Sequence, residues 1–125
     1  MEEIPAQLKL FLEARIHSVA QLELLLLLRS DPAKAWSLDD ASRALAVPAE
    51  MAGSQLGELQ VAGLLTSTGN PPVFRYQPQS GELDQLVASL AQLYHQRRVS
   101  VITLIYSKPV DKVRTFADAF RLRKD

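Results

Sequence analysis

The stretch Leu45-Ala46-Val47-Pro48-Ala49-Glu50-Met51-Ala52-Gly53-Ser54-Gln55-Leu56-Gly57-Glu58-Leu59-Gln60-Val61-Ala62-Gly63-Leu64-Leu65 decides the fold. Ala46-Val47 reads as a turn. Pro48 opens a helix over 48–62, because a proline's missing N–H falls where a first turn leaves donors unpaired anyway. Ala52, Leu56 and Leu59 recur at helical steps and mark the buried side, and Gly63 supplies the permissive backbone that ends the helix. Just upstream, Ser37 with Asp40 three residues on caps a compact helix, Leu38 to Leu45, and Ala35-Trp36-Ser37 leaves room for only a very short strand. Two helices across a tight turn result. Downstream, Leu64-Leu65-Thr66-Ser67 and Val73-Phe74-Arg75-Tyr76 flank the turn formers Thr68-Gly69-Asn70-Pro71-Pro72, which predicts a small β-hairpin over 64–77.

Farther out, the hydrophobic spacing is helical almost throughout. Ile4, Leu8, Phe11, Leu12 and Ile16 predict a first helix over about 5–16, within an N-terminal segment 1–17. Ser18 followed three residues later by Gln21 is a capping-box pattern, and the five consecutive leucines 24–28 leave the helix behind it apolar nearly all round. That helix should be the central one. Ser80 caps a long helix over 80–107 carrying Leu83, Leu86, Val87, Leu90, Leu93 and Tyr94. Val99 to Tyr106 is β-branched and aromatic enough to be a strand, yet no turn signal separates it from Gln96-Arg97-Arg98, so helix is favoured. Lys108-Pro109 breaks the run, and Val110, Val113, Phe116, Ala117 and Phe120 give a last, amphipathic helix over 108–125. The class is mainly α with a small β-hairpin.

This order of elements over residues 18–79 resembles a winged helix-turn-helix domain. Leu45-Ala46-Val47-Pro48 through Leu56, Leu59 and Val61-Ala62-Gly63-Leu64-Leu65 resembles the "L-x-V, helix, L-x-x-L-x-x-x-G-L-L" signature that leads into the wing. The long flanking helices are similar in arrangement to those with which MarR-like regulators build a twofold dimer. The resemblance implies a transcriptional regulator acting as a homodimer, with 80–107 in dimerisation. It also implies that the helix 48–62 lies in a DNA major groove and that the hairpin around Gly69 and Asn70 touches the backbone or minor groove. The implied contacts fall on Glu50, Gly53, Ser54, Gln55, Gly57, Glu58, Asn70 and Arg75.

Charge sets a second reading beside that one. The chain's 125 residues hold 14 bases and 14 acids, but residues 1–65 carry five bases against nine acids and residues 66–125 nine against five. Across Trp36 to Leu65, Arg43 is the only base against Asp39, Asp40, Glu50 and Glu58. A rotation of about 100° per residue places Glu50, Gly53, Ser54, Gly57, Glu58 and Val61 on the outer face of the helix. None is a cation. DNA-binding members of the family often carry Arg or Lys at the positions of Ser54, Gly57 and Glu58, and phosphate contacts supply most of a DNA binder's affinity. Two glycines inside a helix cost about 1 kcal/mol each, so Gly53 and Gly57 suggest a surface that another backbone approaches. The alternative is therefore a winged-helix adaptor that binds an unidentified protein through this acidic, glycine-smoothed face and leaves DNA alone. At the other end, Lys112, Arg114, Arg121, Arg123 and Lys124 flank the apolar stripe of 108–125. They suit a helix packed on its own body, one that meets an acidic partner or, with Arg97 and Arg98, helps to bind nucleic acid, or one that meets a membrane surface.

No candidate for chemistry emerges. His17 and His95 are far apart and Cys is absent, which leaves no ligand set for a metal and no Cys-His nucleophile. Phosphate-loop, dinucleotide and nucleophile-elbow motifs are missing as well. The expectation is a non-enzyme without cofactor. An acidic start, no cysteines and no apolar run of membrane-spanning length point to a cytoplasmic protein.

Overall fold

The computed structural model describes residues 5–106. In chain order they form α1 (Ala6–Arg15), α2 (Val19–Arg29), β1 (Trp36–Ser37), α3 (Leu38–Leu45), α4 (Ala49–Val61), β2 (Leu65–Thr68), β3 (Val73–Tyr76), α5 (Gly81–Gln96) and α6 (Arg98–Tyr106). The basic helix expected over 108–125, with Lys112, Arg114, Arg121, Arg123 and Lys124, lies outside the described residues.

Serine caps start three of the helices where the sequence places them. Ser18, Ser37 and Ser80 accept hydrogen bonds from the backbone N–H groups of Gln21 (3.0 Å), Asp40 (3.0 Å) and Leu83 (3.1 Å). Each satisfies a donor that a helix N-terminus otherwise leaves without an intrahelical partner. The leucine run of α2 is central: Leu22, Leu24, Leu25 and Leu28 are fully buried, and α2 packs on α4, on β3 and on α3. The hairpin gains a third strand, because β1 pairs antiparallel with β3 to give the order β1-β3-β2. Trp36 sits opposite Phe74 and Leu65 opposite Tyr76, so the inward side of the sheet is aromatic.

The turn between α3 and α4 carries the one non-glycine residue with positive φ among the described residues, Ala46 at φ 56° and ψ 46°. Ser42 holds it from both sides: its carbonyl accepts from Val47 N–H (3.1 Å) and its hydroxyl donates to the Val47 carbonyl. A left-handed alanine costs roughly 1–2 kcal/mol, and a glycine adds back less than that in unfolded-chain entropy. Ala46→Gly is thus expected to stabilise the protein by about 0.5–1 kcal/mol, seen as a higher urea midpoint at unchanged m-value.

The helix expected over 80–107 is interrupted. Both halves are helical, which settles Val99 to Tyr106 as helix rather than strand, but Arg97 (φ −135°, ψ 58°) breaks the run between α5 and α6. Tertiary bonds straddle it. Tyr94 and Arg98, on either side of the break, converge on one carboxylate oxygen of Glu23 in α2, at 2.7 and 3.0 Å, and the Arg98 guanidinium lies 5.1 Å from the centre of the Tyr94 ring. The re-aimed α6 buries Val101 and Ile105 against α5 and α1. Burial, and then the bond to Glu23, push the Tyr94 phenol up to about 12.

Candidate nucleic-acid interface

Helix α4 is seated by Ala52, Leu56 and Leu59, all fully buried, which leaves the opposite side of the helix outward as the wheel predicts. Glu50 and Ser54 are exposed, Met51 is 39% exposed and Val61 89%. The two glycines differ. A Cβ on Gly53 would meet the Leu38 methyls of α3 at 3.5 and 3.6 Å, ordinary contact, so Gly53 borders the neighbouring helix. A Cβ on Gly57 would meet nothing within 4 Å. Gly57 is the open position.

Gln55 and Glu58 have neighbours within the chain. The Ser18 hydroxyl donates to Gln55 Oε1 at 3.3 Å, and Gln21 Nε2 donates to Glu58 Oε1 at 3.0 Å, with His17 Nδ1 3.4 Å from the same oxygen. Gln21 is fully buried, the one buried polar residue among the described residues, and its Oε1 accepts from His17 N–H at 2.5 Å. The side chain therefore has a partner at each end, which is what makes its burial tolerable. Arg15 donates to the carbonyl of Ala62 at the C-terminal end of α4. The end of α1 and the start of α2 thus clamp one edge of α4. Between them runs a groove of about 810 Å³ walled by Ala14, Arg15 and His17 on one side and Ser54, Gly57, Glu58, Val61 and Ala62 on the other.

These clamp residues escaped the sequence reading. Ser18 and Gln21 carry a signal, the capping box, but it is local and speaks only for the start of α2; their bonds to α4 span 37 residues.

The wing projects Gly69 (φ 87°) and Asn70 at its tip, both exposed. Arg75 faces out from β3 opposite Thr66, while Phe74 and Tyr76 on either side of it are buried. Tyr76 donates to Asp84 at the start of α5 (2.7 Å), which anchors the root of the wing. Of the other cations between 30 and 79, Arg43 pairs with Asp40 at 3.1 Å and Lys34 lies 3.9 Å over the Trp36 ring. The surface of α3, α4 and the wing therefore offers Arg75 as its clearest outward cation, and α4 itself presents carboxylates. No group of three or more potential metal ligands occurs among the described residues, and no described helix is long and apolar enough to cross a membrane.

A helix-turn-helix followed by a wing, framed by helices at both ends, is the winged-helix architecture of the MarR type, and solved structures place it there. The apo form of wild-type MarR from E. coli superposes with a TM-score of 0.53 at 16% identity, with 97% of each chain covered. A C80S variant of E. coli MarR gives 0.52 at 17% identity over the whole of both chains. BpsR of Bordetella bronchiseptica, whose DNA binding is regulated by 6-hydroxynicotinic acid, gives 0.51 at 18% identity, covering 86% of this chain and 75% of its own. At such identities the likeness is one of fold. No protein-family model and no curated protein matches the sequence.

Proposed function

We propose that this chain is a transcriptional regulator that works as a homodimer in the cytoplasm and binds duplex DNA through α4 and the wing. The observation that supports this most is the outward side of α4, where Glu50, Met51, Ser54 and Gly57 stand clear of the body beside a wing carrying Asn70 and Arg75. Helices α1, α5 and α6 frame the domain as the dimer-forming elements of this architecture do, and Leu10 (65% exposed), Val99 (75%) and Tyr106 (73%) give them apolar surface to share. It is a binder with little phosphate-directed charge. Ser54 and Gln55 supply hydrogen-bonding groups for base edges, Asn70 reaches the backbone or minor groove, and Arg75 neutralises a phosphate.

That composition makes a quantitative statement about salt. With Arg75, Arg43 and Lys34 as the cations between residues 30 and 79, the part that holds α3, α4 and the wing, a dimer binding through that part neutralises about six phosphates at most, and log K falls with log salt at a slope no steeper than roughly −5. Arg75→Ala is expected to weaken binding uniformly across sequences and to flatten the slope by about 2 for the two subunits of a dimer. Fluorescence anisotropy over a salt series checks both. A slope unchanged by the substitution would remove the wing from the interface.

A further inference from the structure

The seat of Ala52, Leu56 and Leu59 fixes how deep α4 sits, but apolar contact is non-directional and does little to fix rotation of the helix about its own axis. Gln55, Glu58 and Ala62 follow one another at three- and four-residue steps along one edge, about a quarter turn from that seat, and each is hydrogen-bonded to the end of α1 or the start of α2. Hydrogen bonds are directional and set the rotation. We propose that Gln21 is the positioning residue among them: it locks the rotation of α4 against the joint between α1 and α2, and so decides how the outward side of the helix is presented to base edges. This rests on DNA binding through α4 and names the residue that makes such binding selective.

Three observations single out Gln21. Its amide has one orientation open to it. The His17 N–H can only donate and the Glu58 carboxylate can only accept, so Oε1 turns to the first at 2.5 Å and Nε2 to the second at 3.0 Å. Burial is the second. Gln21 is fully buried, whereas the side chains of the neighbouring His17–Glu58 pair are 56% and 47% exposed, and an exposed pair of that kind holds little. The third is the choice of partner. Arg15 donates to the Ala62 carbonyl, but a helix C-terminus offers several carbonyls without intrahelical partners, so that bond tolerates a turned helix. The Ser18 hydroxyl already caps α2 and stands 3.3 Å from Gln55 Oε1. The Gln21 bond to Glu58 joins one buried donor to one side chain of α4.

His17 and Ser18 lie between α1 and α2, and α1 packs on α5 and α6. Through Gln21 the rotation of α4 is therefore registered to the helices that frame the domain. Contacts to phosphates carry no sequence information, and long side chains follow a phosphate when a helix turns; bonds to base edges are lost. Gln21 thus governs discrimination among sequences more than total affinity.

Gln21→Met keeps the length and neutrality of the side chain, removes both bonds and leaves the outward side of α4 unaltered. The chain has no cysteine, so Lys9→Cys on α1 and Gln60→Cys on α4, both exposed positions, take spin labels cleanly. Labelled chain diluted into unlabelled chain then gives the α1-to-α4 distance within one chain by double electron–electron resonance. Wild type is expected to show one narrow distribution and Gln21→Met one about twofold broader. Gln21→Glu combined with Glu58→Gln rebuilds the bond with donor and acceptor exchanged and is expected to be narrow again. On a duplex that wild type enriches from a random pool, Gln21→Met is expected to lose about tenfold in preference over random duplex, the worth of one bidentate base contact, with affinity for random duplex at low salt held within about threefold. Loss of fold would lower both affinities together. A distribution in Gln21→Met as narrow as wild type's, an exchanged pair that stays broad, or a preserved preference overturns the proposal. A wild type that enriches no duplex removes DNA binding instead, and the distance measurement still shows whether Gln21 holds α4.

Discussion

Gly57→Arg raises DNA affinity, on the order of tenfold to a hundredfold at about 50 mM salt for a dimer, because it adds one phosphate-directed cation per subunit where none exists. The site accepts the change: no atom lies within 4 Å of the Cβ that the substitution introduces. Arg also replaces a poor helix former, which adds up to about 1 kcal/mol of stability. Anisotropy titrations of wild type and variant on the same duplex, over a salt series, check the affinity and the steeper slope together. Lower affinity in the variant would show that close approach at Gly57, rather than charge, is what this face serves.

A second large effect is expected in the seat of the same helix. Leu56 is fully buried in the core that α4 shares with α2. Leu56→Ala leaves a cavity that the surrounding side chains fill only in part and is expected to cost about 3–4 kcal/mol, within the usual range for such truncations. A domain has roughly 5–15 kcal/mol in total, so a third or more of the stability goes. Gln60→Ala serves as the contrast: Gln60 is exposed on the same helix, and the change is expected to stay within about 0.5 kcal/mol. Urea unfolding followed by circular dichroism measures both. Similar losses for the two variants would mean that α4 is not seated through Leu56.

What could be read from residues alone was whatever local chemistry decides. The serine caps at Ser18, Ser37 and Ser80, the opening of α4 after Pro48 and its end at Gly63, and the buried side through Ala52, Leu56 and Leu59 depend on neighbours within a turn or two. The break at Arg97 does not. Tyr94 and Arg98 on either side of it bond to Glu23, more than 70 residues away, and no periodicity within 80–107 registers that carboxylate. The candidate interface divides in the same manner. A helical wheel finds the outward side of α4, but it cannot tell Gly53, which borders Leu38, from Gly57, which borders nothing. Nor can it tell that Gln55 and Glu58 meet the capping residues of α2. Those distinctions come from which element lies alongside, and the fold supplies that only once it is assembled.

The charge of the α4 face remains the point on which the functional account turns, and wild-type binding to DNA tests it most directly. Fluorescence anisotropy of the full chain with a random duplex, at low salt and again at physiological salt, is expected to show binding that weakens with a log-log slope no steeper than roughly −5. Absence of binding at low salt, where every phosphate contact is at its strongest, would contradict the account and leave the acidic face of α4 to another partner.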